Sequence, residues 1–142
     1  MVRKIDDSIT VSPQITPDQV TEIARAGFSG IVNNRPDGEE TGQPAGDAIR
    51  TVAETMGLSY TEIPVTSAGF SHAQIDAMRE ALDNAQGPIF AFCRSGTRST
   101  NLWALAEAKA GGDPETIVTK AAEAGYDLSG IRPMLDALAG AR

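Results

Sequence analysis

Between Pro88 and Ser99 a short apolar run passes directly into a glycine-bearing polar loop and then into a helical pattern, and this order limits the possible folds more than any other stretch. Pro88 to Phe92 is too short for a helix and apolar throughout, so it reads as a strand buried on both faces. Such strands belong to parallel sheets covered by helices on either side. Cys93 then falls at the strand's C-terminal end. From Ser99 the spacing of Leu102, Trp103, Leu105 and Ala106 predicts a helix whose first turn directs its free backbone N–H groups back at the loop. The stretch is therefore an anion cradle with a thiol at its base.

A thiolate, not a thiol, is the nucleophile, and a helix N-terminus and neighbouring arginines are the features that favour it. Cys93 has both, with Arg94 and Arg98 in the loop. Gly96 allows backbone angles closed to other residues, so that successive N–H groups can converge on one point. Ser95, Thr97 and Ser99 add hydroxyls for a thiolate or a bound anion. A lone cysteine after an apolar strand is commonly just packing. Followed by Arg94-Ser95-Gly96-Thr97-Arg98-Ser99, it reads instead as a catalytic Cys93 with Arg98 as its partner.

The remaining pattern alternates strands and helices. Val2–Ile5 and Ser8–Val11 read as a hairpin at the edge of the sheet. Thr16-Pro17-Asp18-Gln19 carries an N-cap, a proline at the first helical position and a capping-box glutamine, and the helix it starts ends at Gly27. A strand is expected over 28–33, a helix over 45–56, a strand over 58–65, and a helix capped by Ser71 that runs to about Asn84. After the Cys93 loop come helices over 99–109, from Asp113-Pro114 to Gly125, and over 129–138. This order predicts an α/β fold: three layers, α/β/α, with a mainly parallel central sheet. Ligands bind such sheets at the C-terminal strand ends. Arg35 and Asp37, after one strand, and Thr66 and Ser67, after another, should therefore share a rim with Cys93, with Arg35 as an anion-binding residue. His72, in a first helical turn, reads as solvated, Arg79 and Lys109 as ordinary exposed helix charges, and Trp103 as core.

The bulk properties narrow the classes. A chain of 142 residues fits one catalytic domain over 1–142 with a core that needs no staples. No run approaches the roughly 18 apolar residues of a membrane span, and the start Met1-Val2-Arg3-Lys4 has no signal core, so the expected location is the cytoplasm. A single cysteine excludes an intrachain disulfide and any mechanism that needs two thiols in one chain. The net charge of -7 argues against nucleic acid. One histidine and one cysteine offer no transition-metal site, and no cofactor is expected.

The string Cys93-Arg94-Ser95-Gly96-Thr97-Arg98-Ser99 resembles the active loop of rhodanese-type sulfurtransferases, in which six residues beginning with the nucleophilic cysteine encircle a persulfide sulfur. Cysteine-dependent phosphatases look similar, but they place five residues between Cys and Arg, where this chain has four, and usually carry His where Phe92 stands. Gln14-Ile15-Thr16-Pro17, Gly27-Phe28 and Asn33-Asn34-Arg35-Pro36-Asp37-Gly38-Glu39 resemble the bacterial beta-lactamase-hydrolase-like, phosphatase-like domains. That family implies a dual-specificity-phosphatase fold, and several of its members are named sulfur transferases.

Two features then choose between chemistries. Phosphate monoester hydrolysis calls for an acid to protonate the leaving group, yet Val65-Thr66-Ser67-Ala68-Gly69-Phe70, where related phosphatases carry it, contains none. The shorter loop also suits one sulfur better than a tetrahedral phosphate. The sequence therefore reads first as a sulfurtransferase working through a Cys93 persulfide, with thiosulfate or a persulfide as donor and a thiol or cyanide as acceptor. The alternative is a tyrosine- or dual-specificity-type phosphatase working through a Cys93 phosphocysteine, with Asp37 as the nominated acid. A third reading is a non-catalytic module that binds persulfides or phosphorylated ligands. Oligomeric state is open.

Overall fold

The computed structural model describes residues 1–141. Strands β1 (Arg3–Asp6) and β2 (Ile9–Ser12) form the expected antiparallel hairpin. Ser8 closes its turn by donating from its backbone N to Asp6 Oδ1 at 2.9 Å. Helix and strand then alternate through α1 (Pro17–Arg25), β3 (Gly30–Asn33), α2 (Gly46–Thr55), β4 (Ser59–Glu62), α3 (His72–Asp83) and β5 (Ile89–Phe92). The chain continues with α4 (Thr97–Lys109), α5 (Pro114–Glu123), a 3-10 turn (Ser129–Ile131) and α6 (Arg132–Gly140).

The five strands lie in the order β1-β2-β5-β3-β4. Only the β1–β2 pair is antiparallel; β2–β5, β5–β3 and β3–β4 are all parallel. This is the mainly parallel α/β sheet that the alternating pattern predicts. The two-residue period of the strands sends successive side chains to opposite faces. Ile31, Phe90 and Phe92 join Val20, Ile23 and Ile49 of α1 and α2 in one apolar layer, where Phe28 meets Phe90 edge-on with ring centroids 5.3 Å apart. Val11, Val32 and Ala91 face the other layer, built from α3 to α6.

Helix α4 is the centre of that second layer. Leu102, Trp103 and Leu105 are buried, and so are Ala104, Ala106 and Ala108, whose small side chains let α3, α5 and α6 approach from different sides. Thr16 and Ser71 close the expected capping boxes on α1 and α3, and Asp113 caps α5. Two boundaries differ from the sequence pattern. Helix α4 starts at Thr97 instead of Ser99, because Gly96 in the left-handed conformation serves as its N-cap. The last segment opens as a 3-10 turn, and the α-helix begins only at Arg132, with Pro133 in its first turn, where the missing N–H is no loss. The strands expected over 28–33 and 58–65 shorten to four residues each.

The parallel register aligns the strand ends that matter. Ser12 and Asn33 both lie opposite Phe92, and Glu62 lies opposite Asn33, so the segments after β2, β3, β4 and β5 all emerge on one rim. No helix of the described residues is long and apolar enough to cross a membrane.

Candidate active site

The rim is tied together by backbone hydrogen bonds before any side chain contributes. Cys93 N donates to Ser12 O at 3.3 Å, Asn34 N to Phe92 O at 2.9 Å, and Val65 N to Asn34 O at 3.0 Å. Cys93 is thereby fixed at the end of the central strand, fully buried, where its Sγ accepts a 3.0 Å hydrogen bond from Gly96 N. That bond folds the loop back over the sulfur, and it requires the positive φ of +89° at Gly96. A β-carbon at this position would also lie 2.3 Å from Tyr126 Oη. Tyr126, in the segment just after α5, donates to Ser95 O at 3.3 Å and so braces the loop from the side. Ser95 Oγ donates to Thr97 Oγ1 at 3.0 Å and Thr100 Oγ1 to Gly96 O at 2.8 Å, which closes the loop's own hydrogen bonding.

Arg98 reaches across the rim. Its Nη1 donates to Val65 O at 2.7 Å and Glu39 Oε2 at 2.8 Å, while Nη2 donates to Glu39 Oε1 at 2.8 Å. A guanidinium has five N–H donors in a fixed plane. These contacts use both donors of Nη1 and one of Nη2, leaving the edge made of Nε–H and the second Nη2–H. That edge is a fork of the spacing that takes two oxygens of one anion. The Glu39 carboxylate, and more weakly the Cys93 sulfur, raise Arg98 above the ordinary arginine value despite its partial burial. In return the hydrogen bonds from Arg98, and then from Arg35, pull Glu39 down to about 2 against the opposing effect of burial.

Three predicted site residues have other duties. Arg35 was expected to bind the anion, but its side chain is only 1% exposed. It donates from Nε to Glu39 Oε1 at 2.8 Å, from Nη1 to Gln14 Oε1 at 3.1 Å and from Nη2 to Glu40 Oε1 at 3.1 Å. It acts one layer behind the rim, holding the carboxylate that holds Arg98. Ser99 is buried and commits its hydroxyl hydrogen to Asn34 Oδ1 at 2.8 Å, while Asn34 Nδ2 donates to Ile63 O at 3.0 Å. That contact is a strut between α4 and the segments after β3 and β4. Asp37, the nominated acid, accepts from Gly46 N at 2.8 Å and caps α2, whose own N-cap residue, Ala45, provides no side-chain bond.

The other predicted residues stay near the loop. Arg94, Ser95 and Thr97 are exposed there. Thr66 and Ser67 line a cleft of about 420 Å³ beside Arg98, together with Glu39, Val65, Gly69, Phe70 and Asn101. His72 is exposed, as its place in a first helical turn predicts; Lys109 Nζ lies 3.1 Å from its Nδ1 and donates to Asp76 at 2.7 Å. Arg79 likewise pairs with Asp83 and Glu107. Among the described residues no group of three or more His, Cys, Asp or Glu could hold a metal ion.

Four contributors went unrecognised in the sequence. Glu39 and Gln14 sit in segments that read as turns, and only their meeting at Arg35 reveals a role. Asn34 follows a strand and carries one usable signal, a pair of adjacent asparagines at the strand's C-terminal end. Tyr126 carries none, because it is 30 or more residues from every loop atom it touches.

The family comparisons agree with this geometry. Residues 1–110 match the family described as beta-lactamase hydrolase-like protein, phosphatase-like domain. A beta-lactamase hydrolase-like protein of Xylella fastidiosa (strain Temecula1) is 38% identical over 103 residues, which is 72% of this chain and 24% of that protein. The chain thus spans about a quarter of the length of the curated relatives it matches. A solved protein of Neisseria meningitidis Z2491, described provisionally as a phosphatase, is 33% identical over 96% of both chains with a TM-score of 0.81. Tk-PTP in its active form, 17% identical, shares the fold with a TM-score of 0.73 over 98% of this chain and 96% of its own.

These findings overturn the sulfurtransferase reading, and with it the expected thiosulfate or persulfide donor and thiol or cyanide acceptor. A rhodanese-like loop is not borne out either. The number of residues between Cys93 and Arg98 does not set the width of the cradle. The available donors are set instead by where α4 starts and by how Glu39 and Val65 O turn Arg98. Sheet order, loop placement and sequence likeness converge on one assignment: the chain belongs to the beta-lactamase hydrolase-like protein, phosphatase-like domain family.

Proposed function

We propose that this chain is a cysteine-dependent phosphatase that acts on phosphorylated substrates through a phosphocysteine on Cys93. The observation that carries the reading is Arg98, held by Glu39 and Val65 O and hydrogen-bonded to the Cys93 sulfur, with an Nε/Nη2 edge that Glu39 does not use. A phosphoryl group fits these parts. Two of its oxygens accept from the Arg98 edge, and a third lies toward the loop N–H groups and the N-terminus of α4. Cys93 Sγ attacks phosphorus as a thiolate, the bond from phosphorus to the leaving oxygen breaks, and the leaving group takes that electron pair. Water then attacks the phosphocysteine, the S–P bond returns its electrons to sulfur, and phosphate departs. Arg94, exposed at the loop's mouth, draws anions inward within an acidic protein.

The test is steady-state hydrolysis of p-nitrophenyl phosphate. Cys93→Ser is expected to abolish turnover while leaving the fold intact by circular dichroism. Arg98→Lys keeps the charge but not the fork, and should lower kcat/KM by about 100-fold or more, as for loss of one oriented transition-state donor. Full turnover by Cys93→Ser would end the reading. Cys93-dependent vanadate binding without any turnover would make the chain a phosphate-binding module instead.

A further inference from the structure

The cleft beside Arg98 says which phosphorylated compounds such a site can open. Its lining includes one carboxylate, Glu39, and no histidine, lysine, cysteine or tyrosine. Glu39 has both oxygens on Arg98, and Oε1 is shared with the buried Arg35. A carboxylate clamped between two guanidiniums is a permanent anion and has no proton to give. The other acids of the segment after β3 lie outside this lining, with Asp37 accepting from Gly46 N and Glu40 from Arg35. Thr66 and Ser67 contribute hydroxyls that can hydrogen-bond an oxygen but cannot transfer a proton to it at neutral pH. Val65 and Phe70 make part of the wall apolar.

We infer that the enzyme works without a general acid and is confined to phosphoryl groups carried on leaving groups that depart as anions, phenols rather than aliphatic alcohols. The inference rests on the phosphatase reading and narrows it. In the first step the Cys93 thiolate forms the S–P bond while the P–O bond breaks, and the aryloxide leaves with both electrons of that bond. It takes its proton from solvent afterwards. The aryl group lies along the Phe70 side of the cleft. An aliphatic alkoxide, far more basic, would need a proton during the same step, and no lining group supplies one. Glu39 therefore serves to aim Arg98, and its charge repels any second anion from the leaving-group side.

The experiment compares kcat/KM, which reports the first step, for aryl phosphates of graded phenol acidity and for one alkyl phosphate, across pH. The expected result is a steep fall in kcat/KM as the phenol becomes less acidic, with no loss of rate on the basic side beyond what the substrate's own ionisation gives. The alkyl phosphate should react at least about 100-fold more slowly, the smallest factor a general acid ordinarily supplies. Similar kcat/KM for nitrophenyl, phenyl and alkyl phosphates, with a basic limb that Cys93-independent groups control, would overturn the inference and leave the phosphatase reading standing. No Cys93-dependent hydrolysis of any aryl phosphate would overturn both.

Discussion

Gly96 joins three requirements at one α-carbon. Its positive φ lets the loop return to Cys93, its N–H reaches the sulfur, and the space a side chain would need is taken by Tyr126 Oη. Alanine at this position meets a backbone cost of about 1–2 kcal/mol for the left-handed conformation, together with the collision. Gly96→Ala is therefore expected to lower both the urea midpoint and kcat/KM. Adding Tyr126→Phe removes the colliding oxygen but not the backbone cost, so the double variant should recover part of the loss. An alanine variant with unchanged kcat/KM would show that the loop does not depend on this conformation.

The elements communicate through small buried polar contacts as much as through apolar packing. Helix α4 is driven into the protein by Leu102, Trp103 and Leu105, but its height above the sheet is registered by Ser99 on Asn34, and that of Asn34 by Ile63 O. A buried acceptor left without its donor costs about 1–3 kcal/mol. Ser99→Ala should lower stability by that amount in urea titration. Residues that share one network are not additive. Combining Ser99→Ala with Asn34→Ala is thus expected to cost less than the sum of the two single variants, and strict additivity would mean the strut carries no energy.

For the whole molecule, the cluster of Gln14, Arg35, Glu39, Glu40 and Arg98 closes the rim by joining the segments after β2 and β3 to α4. Glu39 is depressed from its ordinary value to about 2 by Arg98 first and Arg35 after it. A group depressed in this way adds stability that is complete above its unfolded value, near 4.5, and is lost as pH falls toward about 2. The contribution at neutral pH is about 1–3 kcal/mol, since the side chain remains partly exposed. Glu39→Gln should therefore be less stable than the parent at pH 7, and the difference should shrink as both are titrated from pH 5 toward pH 2. Arg35→Gln removes the buried guanidinium that holds Glu39, Glu40 and Gln14 together and should also lower stability at pH 7, by about 1–3 kcal/mol, since Glu40 stays in solvent and Glu39 keeps Arg98. A Glu39→Gln deficit unchanged by acid would contradict the pairing.

The sequence alone determined the local chemistry and the order of elements. Capping residues such as Thr16 and Ser71, the apolar run ending at Phe92, and Gly96 between Cys93 and α4 act within a few residues, so their consequences can be read without knowing what packs against them. Parallel strand alternation then placed Cys93, Thr66 and Arg98 on one rim. What those groups are paired with was decided only by the tertiary structure. Arg35 and Ser99 are the residue types that bind anions, and Asp37 is the type that donates protons. Each is instead claimed by a partner far away or across a turn: Gln14, Asn34 and Gly46. A side chain has a fixed number of hydrogen bonds to give, and burial makes leaving one unmade costly. Its function is therefore settled by whichever partner the fold brings within hydrogen-bonding distance, and separation along the chain does not disclose that partner.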